Sequence, residues 1–232
     1  MNTKDVISLL ESNKNERGIA NWDKMSKNST LKSFGLGLTQ LRKLAKQIGR
    51  DRELALALWK SEYYDAKVIS LLIDDPKQIT PEQAETQVEQ LDGGYLAHVF
   101  SSCDATLAKT TFTVDLADKW IDSDDPIRKR CGYGLLYEIS KSKKKSAPDN
   151  GYFLSHIGKI KSSFEKESMD VKMAMGAALM GMGLRNIDLN AAALQVAQWM
   201  GPIDFDERGK CDPFDVAKHL TSDHAKKKFG IN

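Results

Sequence analysis

The sequence predicts an all-α protein, a single solenoid of stacked helix pairs, and three observations carry that prediction. Apolar residues recur at helical spacing along most of the chain. Period-two alternation is scarce, and residues 111–114 are too few to make a strand that matters. A short pattern also recurs, in which an apolar residue is followed directly by a basic one and a small residue usually sits three positions later. It reads Leu41-Arg42…Ala45, Ala66-Lys67…Ser70 and Ile127-Arg128…Cys131, with a looser copy at Val171-Lys172…Met175 that breaks the small-residue rule. Each copy falls early in a helical stretch, and Thr39, Ser61, Ser123 and Ser168 lie just upstream as candidate caps. Repetition of this kind is the mark of stacked helix pairs, in which one helix of each pair offers basic side chains along a shared surface. Such a surface suits a long polyanionic partner.

The elements follow in order. Val6, Leu9 and Leu10 begin an amphipathic segment behind a Thr3 cap, and Ile19, Trp22 and Met25 mark a second. Residues 27–37 read as a loop, with Gly35 and Gly37. Leu38, Leu41, Leu44, Ala45 and Ile48 then recur at helical spacing, and Gly49 is a stop. Leu54, Ala57 and Leu58 follow, then Val68, Leu71, Leu72 and Ile73, ended by Asp74-Asp75-Pro76. Thr80-Pro81-Glu82-Gln83 combines a cap, a first-turn proline and a glutamine at the capping-box position. Leu96, Val99, Phe100, Cys103 and Leu107 make one apolar stripe; Leu116, Trp120 and Ile121 make a short helix. Ser123-Asp124-Asp125-Pro126 opens the helix whose stripe is Ile127, Cys131, Leu135 and Ile139. A basic polar loop spans 143–151, and Phe153, Ile157, Ile160 and Phe164 resume the helical pattern. Apolar helices over 171–182 and 189–200, a loop over 201–213 and a last basic helix ending in Lys226-Lys227-Lys228 complete the chain. About a dozen helices with short connections argue for one domain over residues 1–232.

Charge is informative locally rather than in total. The 232 residues carry a formal net charge of only +2. Across 42–52, Arg42, Lys43, Lys46, Arg50 and Arg52 stand against Asp51 alone. Across 128–145, Arg128, Lys129, Arg130, Lys141, Lys143, Lys144 and Lys145 stand against Glu138 alone, while 74–92 is acidic in return. Separation of sign builds a directed field, although each cluster alone also reads as a solvated helix face. The three cysteines, Cys103, Cys131 and Cys211, show no CxxC spacing. That spacing argues against a disulfide framework or zinc site and suits a reducing compartment. There is no apolar core of signal-peptide length and no run long enough to span a membrane, so a cytosolic monomer without membrane attachment is expected.

Two positions carry candidate chemistry. Asp104 follows Phe100 by four residues, which places both on one side of a helix, with the carboxylate at the edge of the apolar stripe. A carboxylate there is costly unless it is paired or useful. It reads either as a salt bridge or hydrogen bond to a neighbouring helix end or as an anion held in a dry concave wall. Arg130, Tyr133, Tyr137 and Lys141 share a second face of the helix whose other face carries Ile127, Cys131 and Leu135. Basic residues interleaved with aromatics can hold phosphate and sugar, and equally can form a solvated face whose tyrosines pack on a neighbour. Gly176, Gly181 and Gly183 follow no strand and read as close-packing positions rather than a phosphate fingerprint. His98, His156, His219 and His224 have no metal-ligand spacing, the methionines of 173–182 read as core filler, and no GxSxG nucleophile motif occurs. No cofactor or metal is expected.

Trp120-Ile121-Asp122-Ser123-Asp124-Asp125 leading to Arg128-Lys129-Arg130 resembles the bacterial DNA alkylation repair proteins, the alkylpurine DNA glycosylases built from HEAT-like repeats. Agreement extends to the segment from Leu41 to Gly49 with Leu56 to Ser61, to Phe100-Ser101-Ser102-Cys103-Asp104, and to Val171-Lys172 through Gly183-Leu184-Arg185-Asn186. The resemblance runs from roughly Gly35 to Pro213. It implies a C-shaped HEAT-like solenoid whose concave basic face grips duplex DNA. It further implies excision of cationic alkylated purines such as 3-methyladenine and 7-methylguanine, without extruding the lesion into a deep pocket. The cationic base is already a good leaving group, so a carboxylate has only to stabilise an oxocarbenium-like sugar. Asp104 matches that catalytic carboxylate and Arg130 the arginine that contacts DNA beside it. Phe100, Arg128, Tyr133, Tyr137, Lys141 and Lys172 complete the expected DNA-binding set. The chain departs from active relatives at Phe100 and Ala177, where they carry tryptophans, and at Met180, where a basic residue is common. The missing ring at Ala177 favours an alternative, a non-catalytic scaffold for damaged or branched DNA. A protein-binding solenoid is the third reading.

Overall fold

Helices account for the regular structure of this protein. The computed structural model describes residues 1–26, 29–91, 94–205 and 211–230. Among those residues no strand forms beyond two isolated bridges, Lys32 with Tyr63 and Ile203 with Phe214. Parts of two expected loops, residues 27–28 and 206–210, lie outside the described residues. The chain divides into two compact units, Met1–Phe112 and Thr113–Asn232.

The first unit holds α1 (Thr3–Ser12), α2 (Glu16–Met25), α3 (Leu38–Ile48), α4 (Arg52–Trp59), α5 (Tyr64–Ile73), α6 (Pro81–Glu89) and α7 (Gly94–Ser101). The cap of α1 lies one residue before the expected Thr3: Asn2 accepts from the Asp5 amide while Asp5 accepts from the Asn2 amide, a closed capping box. α3 runs as its periodicity requires and stops at Gly49, whose φ of 80° suits glycine. Its N-cap is Gly37 rather than Thr39. α5 is the central helix, packed by α3, α4 and α7 and buried along nearly its whole length. The arrangement is tied by Asp65, fully buried at the start of α5, which accepts from the Ser33 hydroxyl and from the Phe34 and Leu36 amides. These bonds fix the loop ahead of α3 against α5.

The second unit holds α8 (Thr113–Ile121), α9 (Pro126–Ser140), α10 (Asn150–Ser163), α11 (Met169–Gly183), α12 (Ile187–Met200), α13 (Val216–Leu220) and α14 (Asp223–Phe229). α9 is capped by Asp125, which accepts from the Arg128 amide, and begins with Pro126. Ser123 serves one step earlier, accepting from the Asp125 amide. α9 packs between α8 and α11, and small residues set both approaches. A Cβ on Gly132 would stand 2.7 Å from the Ile121 backbone nitrogen, and one on Gly181 would meet Ser140 and Tyr137. The glycines read as close-packing positions do that work; Gly176 and Gly183 likewise abut Phe214 and Leu220. Arg185 closes the end of α9, donating to the Ser140 and Ser142 carbonyls and lying 4.4 Å from the Phe153 ring centroid.

All four copies of the apolar–basic pattern fall in the first turns of α3, α5, α9 and α11. The reason is the inward pairing of positions one turn apart: Leu41 with Ala45, Ala66 with Ser70 and Val171 with Met175 are buried, and Cys131 is buried one turn after the half-buried Ile127. The basic members do not form a free row. Lys67 donates to the Trp59 carbonyl and lies over the Trp59 ring.

Candidate functional site

The turn after α7 differs from its sequence reading in where it puts Asp104. Ser101 and Ser102 donate their hydroxyls back to the carbonyls of Ala97 and His98. Such back-bonding competes with helix continuation, and α7 ends at Ser101. Cys103 and Asp104 follow at φ of 57° and 71°, in the left-handed region. Thr106 then anchors the next turn by donating to the Leu71 carbonyl. The expected placement of Asp104 on a helix, at the edge of a buried face, is therefore corrected. Its side chain is 65% exposed and its Oδ2 stands 3.0 Å from a terminal nitrogen of Arg42. Of the two readings of this carboxylate, the ion pair to a neighbouring helix is the one the structure contains. Arg42 Nε is buried without a hydrogen-bond partner, so the terminal nitrogen carries the contact. Lys109 Nζ donates to the Asp104 carbonyl from the other side.

Phe100 lies elsewhere. Its ring is fully buried in the core, 6.1 Å from that of Trp59, and presents no face to a ligand. Beside Asp104 stand groups to which the sequence reading gave no role at this site. His98 Nε2 is 3.2 Å from Cys103 Sγ, and the His98 ring is 5.6 Å from that of Tyr95. Arg42 was visible as part of the repeated pattern, but no sequence signal places it against Asp104.

In the second unit, Arg128 and Arg130 are half-buried in the first turns of α9. Tyr133 is buried; loss of solvent pushes its phenol up to about 12, against the opposing hydrogen bond with Ser163. Tyr137 is half-buried, with Lys141 Nζ 4.6 Å above its ring and 2.6 Å from Glu138. Lys172 lies 5.2 Å from the Phe164 ring centroid. Of the residues expected to touch DNA, Arg128, Arg130, Tyr137, Lys141 and Lys172 thus keep accessible surface, whereas Phe100 and Tyr133 are core.

The two basic clusters also separate. In the first, Arg52 pairs with the buried carboxylate of Asp74 at 2.9 Å and Arg50 donates to the Asp74 carbonyl, so both hold the end of α5. In the second, Lys129 pairs with Glu167 at 2.7 Å, but Lys143, Lys144 and Lys145 are exposed on the loop behind α9.

A helical-repeat chain with an accessible carboxylate–arginine pair and an exposed lysine loop falls in the class of HEAT-like repeat proteins. The chain belongs to the DNA alkylation repair enzyme family, whose model matches residues 6–206. It is similar to two curated relatives, uncharacterized protein Lin0241 of Listeria innocua and uncharacterized protein Lmo0209 of Listeria monocytogenes. Each is 25% identical over 183 residues, covering 75% of this chain and 75% of the relative. A solved structure, described as one of a new family of proteins related to the HEAT-like repeat DNA glycosylases with affinity for branched DNA structures, is similar at a TM-score of 0.84. It is 21% identical, and the match covers 100% of this chain and 97% of that one. That likeness fixes the fold as HEAT-like.

Proposed function

We propose that this protein binds DNA as a helical-repeat scaffold in the setting of alkylation repair, without cleaving the glycosidic bond. The observation that carries the reading is the Asp104–Arg42 pair. Electrostatic stabilisation of an oxocarbenium-like sugar is strong where water is excluded and the anion is uncommitted. Asp104 is exposed and already neutralised. In the first unit Phe100 is buried and offers no ring to a lesion, and in the second Ala177 has no ring to offer. Support for DNA as the partner comes from the family, from the affinity of the structural relative for branched DNA, and from the exposed lysines 143–145.

The test is release of methylated bases from alkylated duplex DNA, run beside binding to branched and linear DNA of the same sequence. The expected result is binding without release. Release by the wild type that disappears in Asp104→Asn would overturn the scaffold reading.

One observation favours a second reading, the alkylpurine glycosylase. Arg42 is within reach of solvent, with a side chain 36% exposed. A DNA phosphate that captures this guanidinium would release Asp104 for catalysis. On that reading Arg42→Gln speeds base release in the same assay; an unchanged or absent release speaks against it.

A further inference from the structure

Tyr95 stands in the first turn of α7 and is 55% exposed. Its position is fixed from behind. Tyr64, buried in α5, lies 6.5 Å away, and Trp22 lies 4.7 Å beyond Tyr64. On its other flank the His98 ring is 5.6 Å away, and His98 contacts Cys103 at 3.2 Å. Asp104 comes next in the chain and reaches Arg42 at 3.0 Å. The result is a half-exposed aromatic ring packed on its neighbours, at the start of the helix whose following turn carries the partner of Arg42.

Base pairs inside a duplex offer such a ring nothing, because each base face is covered by the next pair. Only edges and phosphates are open there. An aromatic face is matched by a base whose own face is open, as at a branch point, a flap or an unpaired nucleotide. Arg42, paired to Asp104 on the turn that follows the same helix, matches the phosphate that such a nucleotide carries. We propose that Tyr95 stacks on an unpaired or branch-point nucleobase of bound DNA while Arg42, still paired to Asp104, donates a remaining N–H to the neighbouring phosphate. This rests on the DNA-binding reading above and says which DNA feature the first unit recognises.

The experiment uses the full chain and a fork carrying 2-aminopurine at its branch point, with a linear duplex of the same sequence as the reference. Wild type is expected to quench the probe on the fork. Tyr95→Ala is expected to lose the quenching and to bind the fork about 5- to 150-fold more weakly, the value of one base–aromatic stack, with linear binding unchanged. Tyr95→Phe, which keeps the ring, is expected to match wild type. Matching thermal melts of the three proteins confirm folding. Fork binding by Tyr95→Ala equal to wild type, or an equal loss on fork and duplex, would overturn the inference. Wild type that binds both DNAs without quenching overturns this inference alone; wild type that binds neither sinks the DNA-binding reading beneath it.

Discussion

Asp65 shows how much one side chain can hold. It is fully buried, and its two oxygens accept from one hydroxyl and two backbone amides of the loop ahead of α3. Removing the carboxylate strands the Phe34 and Leu36 amides away from water. Asp65→Ala is expected to lose roughly 2–4 kcal/mol of stability, read from urea unfolding, with Asp65→Asn losing less. Asp104 is the opposite case, an exposed partner to Arg42 whose pairing contributes little to folding. The sequence singled out Asp104 as a carboxylate needing an explanation, and the explanation lay in residues it could not connect. α7 ends early because Ser101 and Ser102 bond back to the previous turn, and Arg42 arrives from a helix far away in the sequence. Phe100 reads in two ways: periodicity puts it on an apolar stripe, which its burial matches, while the resemblance alone makes it a DNA contact.

At the scale of elements, the contact of α10 with α8 carries a titratable group. His156 on α10 is almost wholly buried; its Nε2 lies 3.0 Å from Asp118 on α8, which also accepts from the Tyr152 hydroxyl at 2.9 Å. Its Nδ1 is buried without a partner. Burial lowers the His156 pKa, with Lys159 acting in the same direction and Asp118 against it. The unfolded chain then binds a proton near the ordinary value of 6.5 while the folded one resists it. Stability is therefore expected to fall as the pH drops below about 6.5. Urea midpoints taken between about pH 7.5 and pH 5.5 check this, and His156→Gln should flatten the slope. Element boundaries were largely legible, because caps and stops are written locally: Thr80 before Pro81, Asp125 before Pro126, Gly49 after Ile48. Of the candidate caps beside the repeated pattern, only Ser168 takes an N-cap position, and without a side-chain bond. Hydroxyl residues near a helix start are common, and which one caps depends on where the preceding chain enters. The short helix α13 escaped notice because it has only five residues, too few to show a period.

For the whole molecule, the all-α repeat reading held because every level of the sequence agreed with it, from periodicity to punctuation. The charge pattern was legible only in part. Sequence groups charges by neighbourhood in the chain, but Arg50 and Arg52 are spent on Asp74, whereas Lys143, Lys144 and Lys145 remain open to solvent. If these lysines meet phosphates, affinity for DNA falls steeply with salt. Replacing all three with glutamine should then reduce the slope of log K against log salt by up to about 2.7. The unchanged slope of a variant that still binds would remove the loop from the interface. The left-handed turn at Cys103 and Asp104 has a consequence of another kind. Glycine would adopt that backbone at no steric cost, and an aspartate does so less comfortably. Asp104→Gly is accordingly expected to melt no lower than wild type, and Asp104→Val clearly lower, in thermal unfolding. A glycine would thus spare the fold while erasing a charge, so the backbone and the carboxylate of this position can be tested apart.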